Sequence, residues 1–261
     1  IETLKENKKI EIVSIKEGKS NRSPKPPFTT DTMLQAASST LGWSVSKTSS
    51  LAGELYNSGH VTYIRTDSTR TNQGAREAVK NFIKDKFGHD YLGEGVLGPD
   101  AKKGNNNVQD AHEAIRPTSA SRKPGMITSS SDEEQRLYEL IWQQFISSQM
   151  PDAEYLSTSA KVNLEGYEFV ARGREVVFDG FTKVMPPRKD EDAILPPLAE
   201  GDTLNLVDLK NEKKFTKPPA RFSEAALVKE LEKRGIGRPS TYANIISTCL
   251  LYTSDAADDI R

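Results

Sequence analysis

Apolar positions recur along this chain with two different periods. Residues 10–15, "IEIVSI", set Ile10 and Ile12 in period-two alternation and predict a half-buried strand, ended by the breaker cluster "SNRSPKPPFTT". The period then becomes helical. From Thr30 as cap, "DTMLQAASSTL" reads as a helix; after Gly42, Ser46 caps a second through "KTSSLAGELYNSG", with Leu51, Leu55 and Tyr56 on one face. "HVTYIRT" follows as a strand, giving a helix-turn-helix with a strand behind it. "NQGAREAVKNFIKDKFG" predicts a third helix that aligns Ala75, Val79, Phe82 and Ile83 before Gly88 stops it. The glycine- and asparagine-rich "GEGVLGPDAKKGNNNVQ" predicts a mobile loop. "SDEEQRLYELIWQQFISSQM" is a strong helix, with Ser131 or Asp132 at its cap and Leu137, Leu140, Ile141 and Phe145 as a core stripe. Beyond Asp152 the period returns to two, about a turn at Glu165-Gly166, and "DTLNLVDLK" reads as a further strand after a proline-rich, charged connection. The layout is a β-rich unit interrupted by a helical insertion.

Composition narrows this picture only in places. The 261 residues, 35% hydrophobic and 28% charged, suit one large soluble domain or two smaller ones. With 36 basic and 37 acidic residues, the formal charge of -1 means that any polyanion must be held by a local basic surface. The single cysteine, Cys249, excludes an internal disulfide framework and a cysteine-cluster zinc site. No apolar run approaches the roughly 20 residues of a membrane span, and the N-terminus lacks a signal peptide's apolar core. A cytoplasmic protein without a membrane partner is expected. The chain opens without methionine inside a charged, strand-like segment, which predicts a piece of a longer protein.

Three segments carry candidate chemistry. On a strand, Tyr63, Arg65 and Asp67 project from one face, placing a potential nucleophile beside a cation and an anion. A guanidinium favours the phenolate and can clamp a phosphate oxygen, so tyrosine attack on a phosphodiester is one reading; a surface ladder of paired side chains is the other. In "DAHEAIRPT", Asp110 caps a short helical turn that makes His112 and Arg116 i and i+4 neighbours, able to donate to a phosphate. Arginine at the second ligand position excludes the HExxH zinc-protease pattern. A capped surface turn is the alternative. In "ARFSEAALVKELEKRGIGRPSTYANIIST", Ser223 caps a helix bearing Leu227, Val228 and Leu231, Gly235 ends it, and Ser240 or Thr241 caps the next. The turn "GIGRPST" has the glycines, arginine and hydroxyls of a phosphate site, but is neither a Walker loop nor a dinucleotide fingerprint.

In this order, "TYIRTDSTR", "AHEAIRPT" and "RFSEAALVKELEKRGIGRPSTYANIIST" closely resemble the bacterial type IA DNA topoisomerases. "PFTTDTMLQAAS" and "SKTSSLAGELY" extend the resemblance over about residues 10 to 248. The wording "YIRTDST" is similar to the topoisomerase I branch more than to topoisomerase III or reverse gyrase.

The resemblance implies an α+β fold. A helical, winged-helix-like domain with the nucleophile (30–120) is inserted into a discontinuous β-rich arch (1–29 and 121–217). Residues 218–248 begin a further helical, DNA-contacting domain. It also implies that Tyr63 cuts one DNA strand and keeps the 5'-phosphate, with Arg65 on the scissile phosphate. Thr66 and Asp67 orient the loop, and His112 supports the site. Arg116, Arg221, Arg238, Ser240 and Thr241 are implied DNA contacts. The partner is single-stranded segments of negatively supercoiled duplex, and the protein acts as a monomer.

The family's magnesium is held by carboxylates of an N-terminal Toprim domain that nothing in this sequence matches, so no metal ligand is assigned here, and "KDEDA" reads as solvated charge. After Thr248 the family continues toward an active-site arginine, but "CLLYTSDAADDIR" has Tyr252 at that place, which sets residues 249–261 apart as a foreign tail. A non-catalytic module that binds single-stranded DNA, with Tyr63 stacking on a base, and a purely structural protein are the competing classes.

Overall fold

A computed structural model describes residues 9–96, 112–127, 131–187 and 193–258, with side chains to Tyr252. The chain divides into two compact units: residues 1–23 with 152–220, and residues 24–151 with 221–261. The fold is α+β, with all long strands in the first unit and all long helices in the second.

The first unit is a four-stranded antiparallel sheet in the order β3-β2-β1-β4, formed by β1 (Lys9–Arg22), β2 (Ala153–Leu164), β3 (Tyr167–Phe178) and β4 (Thr203–Asn205). The β2–β3 hairpin turns at Glu165 and Gly166 as the sequence predicts. Both residues have positive φ, 49° and 86°, the backbone that a two-residue turn between right-twisted strands requires. Strand β1 runs well past the expected 10–15 because it pairs with β2 as far as Arg22↔Ala153. Its second half, "KEGKSNR", has no apolar alternation because both faces are solvated. Strand β4 is shorter than expected, pairing among the described residues with Lys9, Ile10 and Glu11.

The second unit contains α1 (Thr30–Leu41), α2 (Val45–Asn57), α3 (Gln73–Phe87), α4 (Asp132–Ser147), α5 (Glu224–Lys233) and α6 (Tyr242–Asp258). Its helix starts follow capping chemistry, with two shifts from the sequence reading. Thr29 rather than Thr30 caps α1, in a reciprocal box with Thr32, and Ser44 rather than Ser46 caps α2. Gly42, at φ 72°, makes the left-handed turn between them. Ser131 caps α4 in a box with Glu134, Asn72 caps α3, and Ser223 caps α5.

Leu137, Leu140, Ile141 and Phe145 of α4 are buried as predicted. That stripe packs helix against helix, so α4 falls in the helical unit, and the second stretch of the sheet unit begins at Asp152. Helices α5 and α6 also join the helical unit, packing on α1 and α2 through Leu34, Val45, Val228, Tyr242 and Ile246. The backbone of α6 stays helical through Asp258, with Leu250, Leu251 and Tyr252 exposed. Most of the loop expected at 93–109, and Asp110 with its expected cap, lie outside the described residues, as does most of "KDEDA". No helix among the described residues is long and apolar enough to cross a membrane.

Candidate active site

The segment expected as a strand at 60–66 is irregular, bent at His60, Thr62 and Ile64, and has no ladder. Its strand-like pairing is one bridge, Val61↔Pro117, while Phe28↔Ile115 ties the other side of residues 112–118. Thr62 N–H donates to the Arg116 carbonyl at 2.9 Å, Thr62 Oγ1 donates to the Ala114 carbonyl at 2.7 Å, and Thr118 N–H donates to the His60 carbonyl at 3.0 Å. These bonds hold 112–118 extended beside 60–62, so the helical turn expected around His112 and Arg116 is not formed. Pro117 disfavours helical backbone at the residue before it, and the bridge supplies the alternative.

Side chains alternate along the tyrosine segment although no sheet surrounds it. Tyr63, Arg65 and Asp67 are exposed, while Thr66 and Ser68 between and beyond them are buried. Exposure at Tyr63, Arg65 and Asp67 alternates with burial at Thr66 and Ser68, as period two would place them. The Tyr63 ring, 36% exposed, stacks on His112 at 5.2 Å and 29°, and Tyr56 meets its other neighbourhood edge-on at 5.3 Å and 68°. Tyr56 was expected on the buried face of α2 with Leu51 and Leu55. It is 41% exposed, because it lies one residue, about 100°, around the helix from Leu55. Its place beside Tyr63 depends on how the chain returns after Gly59, which no periodicity reports.

Arg116 differs most from its expected place on a DNA path. It is 7% exposed, and its Nε and Nη2 donate to the two carboxylate oxygens of Glu113 at 3.0 Å each. Nη1 donates to the Pro117 carbonyl at 3.0 Å, and Phe145 lies under the guanidinium at 5.9 Å. Glu113 also accepts from the backbone and side-chain N–H groups of Asn72 at 3.2 Å, joining the α3 cap to the 112–118 segment. Burial alone would raise the Glu113 pKa, but the Arg116 and Asn72 hydrogen bonds outweigh it and hold the carboxyl below its ordinary value.

His60, three residues before Tyr63, is a second anchor. The Arg122 guanidinium lies 3.1 Å from its Nδ1; since arginine only donates, Nδ1 accepts and the ring is neutral. Nε2 is buried without a partner, and the ring meets Tyr138 edge-on at 6.3 Å. Tyr138 Oη donates to the Arg122 carbonyl at 2.6 Å, and burial pushes its pKa up to about 12. Burial and the Arg122 charge lower the His60 pKa, against the opposing pull of Glu134. The unfolded chain therefore takes up this proton first. Stability from the neutral ring is complete above the ordinary histidine value of 6.5 and is lost as pH falls through the lower folded pKa. Thermal unfolding across pH 7.5 to about 5 is expected to show this loss, and His60→Gln to flatten it.

The third motif is arranged around the turn between α5 and α6. Gly237, at φ 82°, leaves no room for a Cβ, which would stand 2.9 Å from Ile245 Cδ1. Thr241 Oγ1 accepts from Arg238 N–H at 2.8 Å, and Arg238 Nη1 donates to the Gly237 carbonyl at 2.8 Å. Arg221, Arg238, Ser240 and Thr241 are all exposed. Tyr242, buried just after the turn, has its pKa raised by burial and by the carboxylates of Asp31, Glu232 and Asp67. The sequence reading passed over Thr30 as a site residue, and only its position before an apolar helix could have pointed to it.

A helical unit that presents tyrosine, arginine and histidine together is, by family, part of a DNA topoisomerase: the family model of that description matches residues 1–252. The match runs into the tail that the sequence set apart. The chain is 50% identical over 227 residues to DNA topoisomerase 1 of Pseudomonas aeruginosa, covering 86% of this chain and 26% of that protein. It is 48% identical over 248 residues to DNA topoisomerase 1 of Escherichia coli, covering 94% of this chain and 28% of that one. Full-length topoisomerase I from Thermotoga maritima superposes with a TM-score of 0.82 at 35% identity, over 95% of this chain and 42% of that one. The chain belongs to the bacterial DNA topoisomerase family, and it spans little more than a quarter of the length of these curated relatives.

Proposed function

We propose that the parent protein is an ATP-independent type IA topoisomerase that relaxes negatively supercoiled DNA, with Tyr63 as its nucleophile. The observation that supports this best is an exposed tyrosine, stacked on a histidine, in a pinned segment with an exposed arginine two residues on. Tyr63 Oη attacks the scissile phosphorus, the new O–P bond forms as the P–O3' bond breaks, and the leaving O3' ends with a proton as a free hydroxyl. The reverse attack reseals the strand, so the phosphodiester's energy is retained in the phosphotyrosine.

Arg65 holds the charge of the phosphate oxygens, and His112 orients the phenol ring and donates to the same phosphate. Thr66 and Asp67 keep the loop in place. Arg221, Arg238, Ser240 and Thr241 take neighbouring phosphates of a single strand. Arg116, given its pairing with Glu113, supports the tyrosine segment from beneath instead of reaching DNA itself. In this reading residues 30–120 are the tyrosine-bearing domain, inserted in the chain of a β-rich arch (1–29 and 121–217), residues 218–248 begin a further helical domain, and the parent works as a cytoplasmic monomer.

Among the described residues, no group of three or more His, Cys, Asp or Glu side chains could hold a metal ion. The residues present do not fit the magnesium that the family implies, and no step is assigned to it here. Its ligands belong to the Toprim carboxylates of the parent.

This division of the site predicts different behaviour for the chain and its parent. The isolated chain is expected to bind single-stranded DNA weakly, with affinity that falls as salt rises, and to relax no supercoils. The full-length parent with magnesium should relax negatively supercoiled plasmid. Relaxation by the isolated chain, or none by the parent, would overturn the reading.

A further inference from the structure

We infer that Thr30 is a positioning residue for Tyr63 and Arg65, the part that sets the outward face of the tyrosine segment. The inference rests on the nucleophile assigned above. It starts from a gap in the backbone pairing. Beyond the Val61↔Pro117 bridge, the tyrosine segment runs without a strand beside it, yet its buried polar groups need partners.

Four polar contacts with Thr30 supply those partners, the single hydroxyl proton lying between two carbonyls. Thr30 Oγ1 donates to the Ile64 carbonyl at 2.7 Å and lies 3.0 Å from the Thr66 carbonyl; it accepts the Thr66 N–H at 2.9 Å; and Thr30 N–H donates to the Thr66 carbonyl at 2.9 Å. Thr30 is itself 5% exposed, at the start of a helix rooted by the buried Met33, Leu34 and Ala37.

The consequence follows from alternation. Fixing the backbone at Ile64 and Thr66 turns Thr66 inward, where its Oγ1 accepts the Ser68 N–H at 3.0 Å. Tyr63, Arg65 and Asp67 are then directed outward together. One threonine hydroxyl does here what a neighbouring strand does in a sheet. Without it, the Ile64 carbonyl and the Thr66 N–H lose their partners and Arg65 is free to rotate away from the tyrosine's face. A displacement of about 1 Å of a reacting group is enough to cost on the order of 100-fold in rate.

The test uses the full-length parent and follows the rate of covalent adduct formation with single-stranded DNA, beside affinity for the same DNA. Thr30→Val, which keeps the shape and removes the hydroxyl, is expected to slow adduct formation by about 100-fold and to change affinity by less than about threefold. Thr30→Ser should stay within about threefold of the unsubstituted protein in both. Thr48→Val is the control, because Thr48 is equally buried in the helical unit and its Oγ1 donates to the Ser44 carbonyl, away from the tyrosine segment. It should leave the rate unchanged.

A Thr30→Val rate within threefold of the unsubstituted protein, a Thr30→Ser rate as low as that of Thr30→Val, or an equal loss in Thr48→Val would each overturn the inference. Should Thr30→Val not fold, hydrogen exchange in the unsubstituted protein decides: the Thr66 amide is expected to be strongly protected, and free exchange would overturn the clamp. Absence of any adduct in the unsubstituted parent would instead strike the nucleophile assignment.

Discussion

Replacing Tyr63 with phenylalanine in the full-length parent is expected to lower covalent adduct formation with single-stranded DNA by at least about 10⁴-fold, the scale on which removal of an enzymatic nucleophile acts. Affinity for the same DNA should change by less than about twofold, since the ring keeps its stacking on His112 and its edge contact with Tyr56. The contrast between the two readouts is what separates a nucleophile from a base-stacking aromatic. In a binding module, Tyr63→Phe would leave both nearly untouched, and Tyr63→Ala would weaken affinity.

The second large effect concerns stability. Glu113→Ala removes the two carboxylate oxygens that pair a buried guanidinium and that Asn72 also donates to, leaving Arg116 charged and enclosed beside Phe145 with the Pro117 carbonyl as its remaining acceptor among those described. Stranding a buried charge costs about 3–5 kcal/mol; the low end, about 3 kcal/mol, applies because the Glu113 side chain is 33% exposed. Urea unfolding of the helical unit in the variant should read this difference. Acid should reproduce part of it. The Glu113 pKa is lowered, so the carboxylate's contribution is complete above the ordinary glutamate value of 4.5 and disappears as pH falls through the folded pKa below it. The variant should lack that acid dependence.

These two residues also mark where the sequence was informative and where it was not. Helix α4 was legible because its capping box and i, i+3, i+4 apolar stripe are local, and the hairpin at Glu165-Gly166 because a two-residue turn announces itself. Strand β1 beyond Ile15 was not, since its pairing with β2 joins residues more than 130 positions apart and leaves both faces wet. The same distance dependence governs the site. The exposure of Tyr63, Arg65 and Asp67 followed from period two, although it is Thr30 at the head of α1, and not a sheet, that bonds the backbone between them. The inward turn of Arg116 had no local signal, because a sequence of "HEAIRP" specifies neither the bridge to Val61 nor the α3 cap that shares Glu113. Resemblance named the motifs, and only the packed helical unit relates one to another.

The account's central claim is that Tyr63 becomes linked to a DNA 5'-phosphate. Single-stranded DNA incubated with the full-length parent and magnesium, then denatured and digested with trypsin and nuclease, gives peptides that mass spectrometry can map. The account predicts a nucleotide 5'-phosphate on Tyr63 in the peptide ending at Arg65, with a free 3'-hydroxyl on the released strand. A phosphate carried by another residue, a 3'-phosphate linkage, or cleavage with no protein attached would contradict it.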